Sequence, residues 1–335
     1  MKVLFDHHDP FLLMQGGFQV QIKETMRGVA EAGVEVEHLR WWDADQRGDI
    51  IHYFGRPRLS YVEFAHKKGI KVVMTHLLTG LGSRKAWLRG LQKLGILGSM
   101  ALLPAMATNH FGWAALRNVD AALFQTSWEA WLLKDVFGVA PEKVQVITNG
   151  VEEVFLNSPA AARGPWLVCA AALTERKRVV ELAEAAVQAE TPLWVIGSAY
   201  AESDQYAQRF LQLAKRQARL IRYEGAIQDR ARLAQAYREA RGVVLLSTME
   251  SLSLSAGEAA ACQTPLLLSD LPWARTAYGD NATYCPIASV AQTATVLRKF
   301  YDSAPRLPPP PPPPTWGEVG KQFRAVYEAL LKTSR

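Results

Sequence analysis

The feature that most restricts what this chain can fold into is an alternation of short apolar runs with helical segments, which occurs twice. The first series contains the runs KVLF, DIIHYF, IKVVMT, VDAALFQ and KVQVIT, each followed by a polar or glycine-containing turn. The rhythm breaks near residues 149–165 and restarts with WLVCAAAL, PLWVIGS, RLIRYEGAI and GVVLLS. Strands that alternate with helices predict parallel sheets covered by helices on both faces. We therefore predict an α/β protein with two Rossmann-like domains.

The break and the restart also predict the domain boundaries. The first domain takes residues 1–150, a linker takes 151–165, and the second domain takes 166–305. Residues 306–335 contain seven consecutive prolines, Pro308 to Pro314, followed by an amphipathic helix that we expect to pack on the first domain. The prolines predict a polyproline II rod of roughly 20 Å. We interpret this rod as a stiff spacer rather than a recruitment site.

Composition restricts the class of protein further. Hydrophobic residues make up 49% of the 335 residues and charged residues 21%, which is typical of a globular protein with a sizeable core. A net charge of +6 suits a phosphorylated substrate or an anionic membrane surface, and is too diffuse to indicate nucleic acid. The three cysteines lack the spacing of a metal site, and the N-terminus lacks the layout of a signal peptide. We expect a cytoplasmic protein.

Two carboxylates in the stretch STMESLSLSAGEAAACQTPLLLSD, residues 247–270, predict a binding site. Glu250 lies in the loop after the strand GVVLLS, and Glu258 lies about one turn inside the next helix, which should begin near Ser253 to Ala256. Ligands bind beyond the carboxyl ends of parallel strands, and the amides of a helix start favour phosphate. Carboxylates accept hydrogen bonds well from paired sugar hydroxyls. A phosphate with a ribose on one side and a hexose on the other would account for both acids.

This stretch resembles the signature of the family 4 glycosyltransferases, the retaining group with the GT-B fold. The segments TNGVEEVF, WVIGSA, IRYEGAI and TWGEVGKQFRAVYEALL are also similar to that family. The resemblance implies two Rossmann-like domains that face a cleft, with the acceptor on the first domain and a nucleotide-diphosphate sugar on the second. It implies transfer of a hexose with retention, without a metal ion or other cofactor. The acceptor would be a glycan, a lipid-linked molecule or a small molecule.

The resemblance also assigns roles to residues of the second domain. Glu258 would hold the ribose, and Glu250 would face the transferred sugar as a catalytic residue without acting as a nucleophile. The amides of Ser251, Leu252 and Ser253 would contact sugar and diphosphate. Lys177 would contact the diphosphate. The family's preceding Gly-Arg is replaced here by Ala171-Ala172, and Arg176 or Arg178 would supply the missing cation.

In the first domain, three residues are candidates for the donor site. Gly16 and Gly17 lie between the first strand and the first helix, where glycines let the backbone approach a phosphate closely. His76 follows the strand IKVVMT, where the family often places an active-site histidine that contacts the donor sugar, so the resemblance makes His76 a candidate catalytic residue. A lone histidine is also a common structural residue, and His110 is a weaker rival.

Two other motifs are typical of different functions. Asp43 to Asp45 match the Asp-x-Asp of a different, manganese-dependent glycosyltransferase fold, but the triplet is short and we predict no metal site. Residues 83–100 join four cations to Trp87, Leu88, Leu91 and Leu94 at helical spacing. This pattern suits peripheral contact with the inner face of a membrane, although we favour an ordinary helix whose apolar face belongs to the core.

Three alternatives to a transferase remain open from the sequence. The first is a catalytically silent protein that binds a nucleotide sugar on a transferase-like scaffold, which the missing Gly-Arg would fit. The others are a sugar-nucleotide epimerase or a phosphorylase with the same two-domain plan. Neither a base for the donor nucleotide nor an acceptor follows from the residues.

Overall fold

Two six-stranded parallel sheets form the framework of the protein in a computed structural model. The structure describes residues 1–8, 10–12, 16–103, 113–157, 161–201 and 203–332. These residues divide into unit 1, which is Met1–Gly150 with Pro314–Arg335, and unit 2, which is Val151–Pro313. Each unit has one of the sheets. The prediction of an α/β protein with two Rossmann-like domains is confirmed.

The sheet of unit 1 has the strand order β2-β1-β3-β4-β5-β6. Its strands are β1 Lys2–His7, β2 Glu35–His38, β3 Ile50–Phe54, β4 Lys71–Thr75, β5 Ala121–Phe124 and β6 Val144–Val146. The helices of unit 1 are α1 Gly17–Glu31, α2 Leu59–Lys67, α3 Thr79–Gly82, α4 Ala86–Leu102, α5 Trp113–Asn118 and α6 Ser127–Phe137. The strands β3 and β5 are buried at every position, as expected for parallel strands covered on both faces.

The sheet of unit 2 has the strand order β12-β11-β10-β7-β8-β9. Its strands are β7 Leu167–Ala170, β8 Leu193–Ile196, β9 Ile221–Tyr223, β10 Gly242–Leu245, β11 Leu266–Ser269 and β12 Thr283–Cys285. The helices of unit 2 are α7 Glu153–Asn157, α8 Val179–Gln188, α9 Gln205–Arg216, α10 Arg230–Glu239, α11 Leu254–Ala261, α12 Pro272–Tyr278 and α13 Val290–Ser303. The strands β7, β8 and β9 follow one another toward one edge of the sheet, and β10, β11 and β12 follow one another toward the other edge. The strand order therefore reverses between β7 and β10.

The last helix, α14 Trp316–Lys332, belongs to unit 1. It packs along α1, and Gly28 and Gly320 allow the two backbones to meet. A Cβ on Gly320 would lie 1.9 Å from the carbonyl oxygen of Gly28, so no larger residue fits without moving the backbone. Tyr327 of α14 also bonds the buried His52 of β3, whose Nδ1 is 2.7 Å from the tyrosine hydroxyl. The run Pro308 to Pro314 forms neither helix nor strand.

Several local predictions differ from the structure. The strand β2 was not predicted, because its residues EVEH are half-exposed at the edge of the sheet and have no apolar run. The stretch predicted as a linker contains α7, which buries Phe155 in the core of unit 2.

The helix predicted from residues 83–100 is present as α4, but the assignment of its apolar face to the core is wrong. Ile96 is its only buried residue in the structure. Trp87, Leu91 and Leu94 are more than half exposed. Sequence spacing shows which residues share a face of a helix, but it does not show whether that face packs on the core or points to solvent. The prediction of burial was wrong for this reason.

Candidate functional site

The reversal of strand order in unit 2 brings together the two loops that carry most of the predicted site. One loop follows β7 and ends in a short 3₁₀ turn, Glu175–Lys177, and the other follows β10 and contains Glu250. The amide of Thr248 donates to the carbonyl oxygen of Arg176 at 2.8 Å, which ties the loops together. Ligands of open parallel sheets bind outside the carboxyl ends of the strands at such a reversal. The sequence-predicted residues of both loops therefore meet where the topology favours a ligand.

Charge at this point is concentrated on three side chains. Lys177 forms a salt bridge with Glu250, and Nη1 of Arg176 lies 3.2 Å from the same carboxylate oxygen. The Glu250 side chain is only 11% exposed. Burial raises the pKa of Glu250, but Lys177 and Arg176 outweigh burial and hold the pKa below its usual value. Two cations and one ionised carboxylate give this point a net positive charge.

The start of α11 lies in the same loop and adds backbone N–H groups. Ser253 is its N-cap, and the Ser253 hydroxyl accepts from the amide of Ala256 at 3.4 Å. The prediction that this helix starts near Ser253 to Ala256 is confirmed. A helix start presents unpaired amides and a partial positive charge, both of which favour an anion. Ser251 and Ser253 are buried, whereas Leu252 is half-exposed.

Glu258 lies in the second turn of α11 within a separate set of polar contacts. Nη2 of Arg230 is 2.5 Å from Oε1 of Glu258, and the hydroxyl of Tyr237 donates to Oε2 at 3.0 Å. Arg230 also donates from Nε to Glu152 at 2.8 Å. Burial and the Glu258 carboxylate raise the pKa of Tyr237 well above its usual value, so its hydroxyl remains a donor. The carboxylate of Glu258 is therefore fixed in orientation, with lone pairs left for further donors.

Sequence reasoning did not identify Arg230, Tyr237 or Glu152. Arg230 is the first residue of α10, directly after the N-cap Asp229. A cation in the first turn opposes the helix dipole, which was an available sign that Arg230 has a partner elsewhere. Thr174 in the loop after β7 was also missed. Its Oγ1 is buried and has no hydrogen-bond partner within the described part of the chain.

The two arginines proposed to replace the family's Gly-Arg differ in placement. Arg176 is 38% exposed, and its Nη1 donates to the carbonyl oxygen of Met249 at 3.0 Å. Arg178 is buried, has a positive φ of 54° and donates to the carbonyl oxygen of Ala288 at 2.9 Å. Arg176 is thus the better placed of the two beside Glu250.

In unit 1 the corresponding reversal of strand order lies between β1 and β3. Gly16 is the residue before α1 and has a φ of 88°, a conformation that glycine adopts without strain. Gly17 is the first residue of α1. Both predicted glycines therefore lie at a helix start beyond the carboxyl end of β1, where backbone amides favour an anion.

His76 directly follows β4, and Nη2 of Arg56 lies 3.2 Å from its Nε2. Burial and the adjacent Arg56 lower the pKa of His76 to about 3, so the imidazole is neutral near pH 7. Because a guanidinium only donates, Nε2 of His76 is the acceptor and its proton lies on Nδ1. The rival His110 lies outside the described residues.

An aromatic pocket of about 330 Å³ lies beside the carboxyl ends of β1 and β2. Its lining residues are Phe5, Asp6, His7, Pro10, Phe11, His38, Leu39, Trp41 and Trp42. The Asp6 carboxylate accepts from the Tyr61 hydroxyl at 2.5 Å and from the Trp41 indole at 3.2 Å. The Asp6 carboxylate is thus held by internal donors, and most of the residues that line the pocket are aromatic. The sequence did not predict this pocket.

The described residues contain no group of three or more His, Cys, Asp and Glu side chains arranged to hold a metal ion. Asp43, from the Asp-x-Asp triplet, accepts from Nε of Arg40 at 2.9 Å and from Nη2 at 2.8 Å. Within the same described ranges, no helix combines the length and apolar character needed to cross a bilayer.

Comparison with known proteins agrees with this architecture. Residues 164–303, most of unit 2, match the family described as Glycosyl transferases group 1. No curated protein sequence matches the chain significantly. A sucrose-phosphate synthase from Thermosynechococcus elongatus has a similar structure, with a TM-score of 0.69, 16% identity and coverage of 99% of this chain and 100% of that one. The fold is GT-B.

Two further structures are similar to this chain over nearly its whole length. A glycosyltransferase from Rickettsia africae has a TM-score of 0.67 at 11% identity and covers 98% of each chain. The Anabaena protein HepE, in complex with UDP-glucose, has a TM-score of 0.65 at 13% identity and covers 98% of this chain and 100% of its own. At these identities the structures establish the GT-B fold, and the family match to unit 2 supports a glycosyltransferase.

Proposed function

We propose that this protein is a retaining, family 4-like glycosyltransferase that moves a hexose from a nucleotide-diphosphate sugar to an acceptor. The observation that carries the proposal is the meeting of Arg176, Lys177 and Glu250 with the start of α11 at the strand reversal of unit 2. The two cations and the backbone amides of the helix start favour a diphosphate, and the carboxylate favours sugar hydroxyls. UDP-sugars are the first donors to test, because HepE was solved with UDP-glucose.

The donor would extend from this point in two directions. In the proposal, Lys177 and Arg176 bind the diphosphate together with the amides of Ser251, Leu252 and Ser253. Glu258 accepts from the ribose hydroxyls, and its orientation by Arg230 and Tyr237 supports that role. Glu250 accepts from the transferred hexose while its salt bridge to Lys177 keeps it ionised.

The proposed chemistry depends on charge that develops as the donor bond breaks. The leaving nucleoside diphosphate gains negative charge in the transition state. Fixed cations and amides therefore stabilise the transition state more than the ground state. The sugar passes through an oxocarbenium-like state. Glu250 is already engaged by two cations, which supports a binding role rather than nucleophilic attack. The proposed reaction uses no metal ion and no other cofactor.

In unit 1, Gly16, Gly17 and His76 keep in this proposal the roles that were predicted from the sequence. The backbone of Gly16 and Gly17 would approach a phosphate, and the Nδ1 proton of His76 would be donated to a hydroxyl of the transferred sugar. The bond from Arg56 to Nε2 supports this assignment, because it leaves Nδ1 as the donor. We also propose that the aromatic pocket holds an apolar part of the acceptor, since aromatic faces stack well on such groups.

The test is a donor panel of UDP-, GDP- and ADP-sugars with the full-length protein. We expect one donor to raise the melting temperature and to be hydrolysed slowly to nucleoside diphosphate and free sugar. Proton NMR of the first sugar released should show the anomeric configuration of the donor. Inversion at that carbon would contradict retention, and silence across the whole panel would contradict the proposal.

The alternatives predict different results in the same panel. A catalytically silent binder would be stabilised by a donor without releasing nucleotide. An epimerase would convert the donor to an epimeric nucleotide sugar without releasing free sugar. For the acceptor, Trp42→Ala should raise the acceptor KM and leave donor hydrolysis unchanged, because Trp42 lines the aromatic pocket and is 83% exposed. The cytoplasmic location predicted from the sequence belongs to this proposal as well.

A further inference from the structure

The outer face of α4 in unit 1 is apolar and uncovered. Trp87 is 63% exposed, Leu91 60%, Leu94 68% and Leu102 85%. At 3.6 residues per turn, these four residues and Gly98 fall within an arc of roughly 80°. Ile96, the only buried residue of the helix, lies on the opposite side. The face directed at solvent therefore has the composition usually found in a core.

The charged residues in the middle of α4 are turned toward the protein. Nζ of Lys93 lies 2.6 Å from Asp135 of α6, and the guanidinium of Arg89 lies 4.8 Å from the centre of the Trp128 ring. These contacts attach α4 to α6 through its polar side. They fix the rotation of the helix so that the apolar side points away from the body of unit 1.

The charge around this face identifies its partner. Between Phe64 and Val119 the sequence has eight Lys and Arg residues and no Asp or Glu. Arg84 and Lys85, at the start of α4, are exposed and have no acidic partner within the described residues. A surface of Trp and Leu beside exposed cations, on a segment whose sequence has no acid, matches the boundary between headgroups and acyl chains of an anionic bilayer. A second copy of the chain would bring more cations and no acid from this segment.

We propose that α4 lies in the plane of an anionic membrane surface, with Trp87, Leu91, Leu94 and Leu102 inserted among the lipids and Arg84 and Lys85 on the headgroups. The interaction is peripheral, because α4 lies flat with its inner side packed on α6. It is independent of the proposed glycosyl transfer, since it needs neither donor nor acceptor. It would hold the protein where a lipid-linked substrate is concentrated.

The test is co-sedimentation of the full-length protein with vesicles of phosphatidylcholine, alone or mixed with phosphatidylglycerol. We expect the protein to bind the mixed vesicles and to bind them less at high salt. Its affinity for neutral vesicles should be at least about tenfold lower. The double variant Leu91→Glu with Leu94→Glu should lower binding to the mixed vesicles at least about tenfold. Both leucines are exposed, so circular dichroism should show an unchanged fold.

The matched control is Leu211→Glu, which changes an exposed leucine of α9 in unit 2 and should leave binding unchanged. Arg84→Gln with Lys85→Gln should remove the preference for anionic vesicles. Three outcomes would overturn the proposal: no sedimentation of wild type with either vesicle, equal binding of wild type and the double variant, or a wild-type dimer in light scattering that the double variant converts to monomer.

Discussion

Arg230 of α10 forms a salt bridge with Glu258 of α11, with Nη2 of the arginine 2.5 Å from Oε1 of the glutamate. On the other oxygen the buried Tyr237 donates at 3.0 Å. Glu258 is thus both the proposed ribose ligand and the acceptor for two internal donors. Different substitutions of Glu258 should therefore have separate effects on nucleotide binding and on the free energy of unfolding.

We expect Glu258→Gln to weaken nucleotide binding about tenfold or more, because a neutral amide accepts more weakly than a carboxylate. Glu258→Ala should in addition lower the free energy of unfolding by about 1–3 kcal/mol, since it removes the carboxylate that accepts from the buried Tyr237 hydroxyl. Calorimetric titration with nucleotide and urea denaturation measure the two effects. Glu239→Gln, at an exposed position near the end of α10, is the control. Equal nucleotide affinity in wild type and Glu258→Gln would contradict the ribose assignment.

Lys177→Met should lower the rate of transfer by about 10²–10³-fold, because it removes a fixed cation from the charge that develops on the leaving group. The exposed Lys215 of α9 supplies the control Lys215→Met, which should keep full activity. Glu250→Gln should also impair transfer, and nucleotide binding should change less. Because Lys177 and Glu250 are in contact, the double variant should lose less than the two single losses combined. Strict additivity would indicate that the salt bridge has no part in the site.

The buried His52 should make unit 1 less stable in acid. Burial lowers its pKa to about 3, whereas the ordinary value is 6.5. Below pH 6.5 the unfolded chain binds a proton that the folded protein does not, so the free energy of unfolding falls as pH falls from about 6.5 toward 3. One proton corresponds to about 1.4 kcal/mol per pH unit, and His76 acts in the same direction.

The measurement is urea denaturation across that pH range. His52→Gln should flatten the fall by about one proton's slope, whereas His8→Gln at an exposed position should keep the wild-type slope. The prediction fails if the His52→Gln profile is as steep as that of wild type.

The contact between α1 and α14 should not tolerate a side chain at Gly28. A Cβ there would lie 2.1 Å from the carbonyl oxygen of Trp316, so Gly28→Ala should cost about 3 kcal/mol or more in the free energy of unfolding. Gly90→Ala in α4 is the matched control, because no atom lies within 4 Å of its Cβ. Alanine is the better helix former, so the control should be neutral or stabilising by about 0.5–1 kcal/mol. Denaturation of both variants tests the packing.

Much of the fold could be predicted because parallel strands buried on both faces are continuous apolar runs. The strand β10 and the start of α11 at Ser253 were found in this way, and they place Glu250 and Lys177 at the strand reversal. β2 was missed since its edge position needs no apolar run. The apolar runs and the helix start thus predicted where the loops with Glu250 and Lys177 lie.

The partners of the site residues could not be predicted. Arg230 lies 28 residues from Glu258 along the chain, and only the packing of α10 on α11 brings them together. The outward face of α4 is a second example. Helical spacing correctly grouped Trp87, Leu91 and Leu94, but the contact of Lys93 with Asp135 decides which way that group points.

The position of α14 in unit 1 has a consequence for synthesis on the ribosome. Unit 2 is one uninterrupted stretch, so its sheet can be completed while α14 is still inside the exit tunnel. Unit 1 begins first and finishes last, because the neighbours of Gly28 and His52 on α14 emerge only after the prolines. Until then His52 lacks its tyrosine partner and α1 has an open side. The nascent chain therefore needs α14 to close the domain that contains α1.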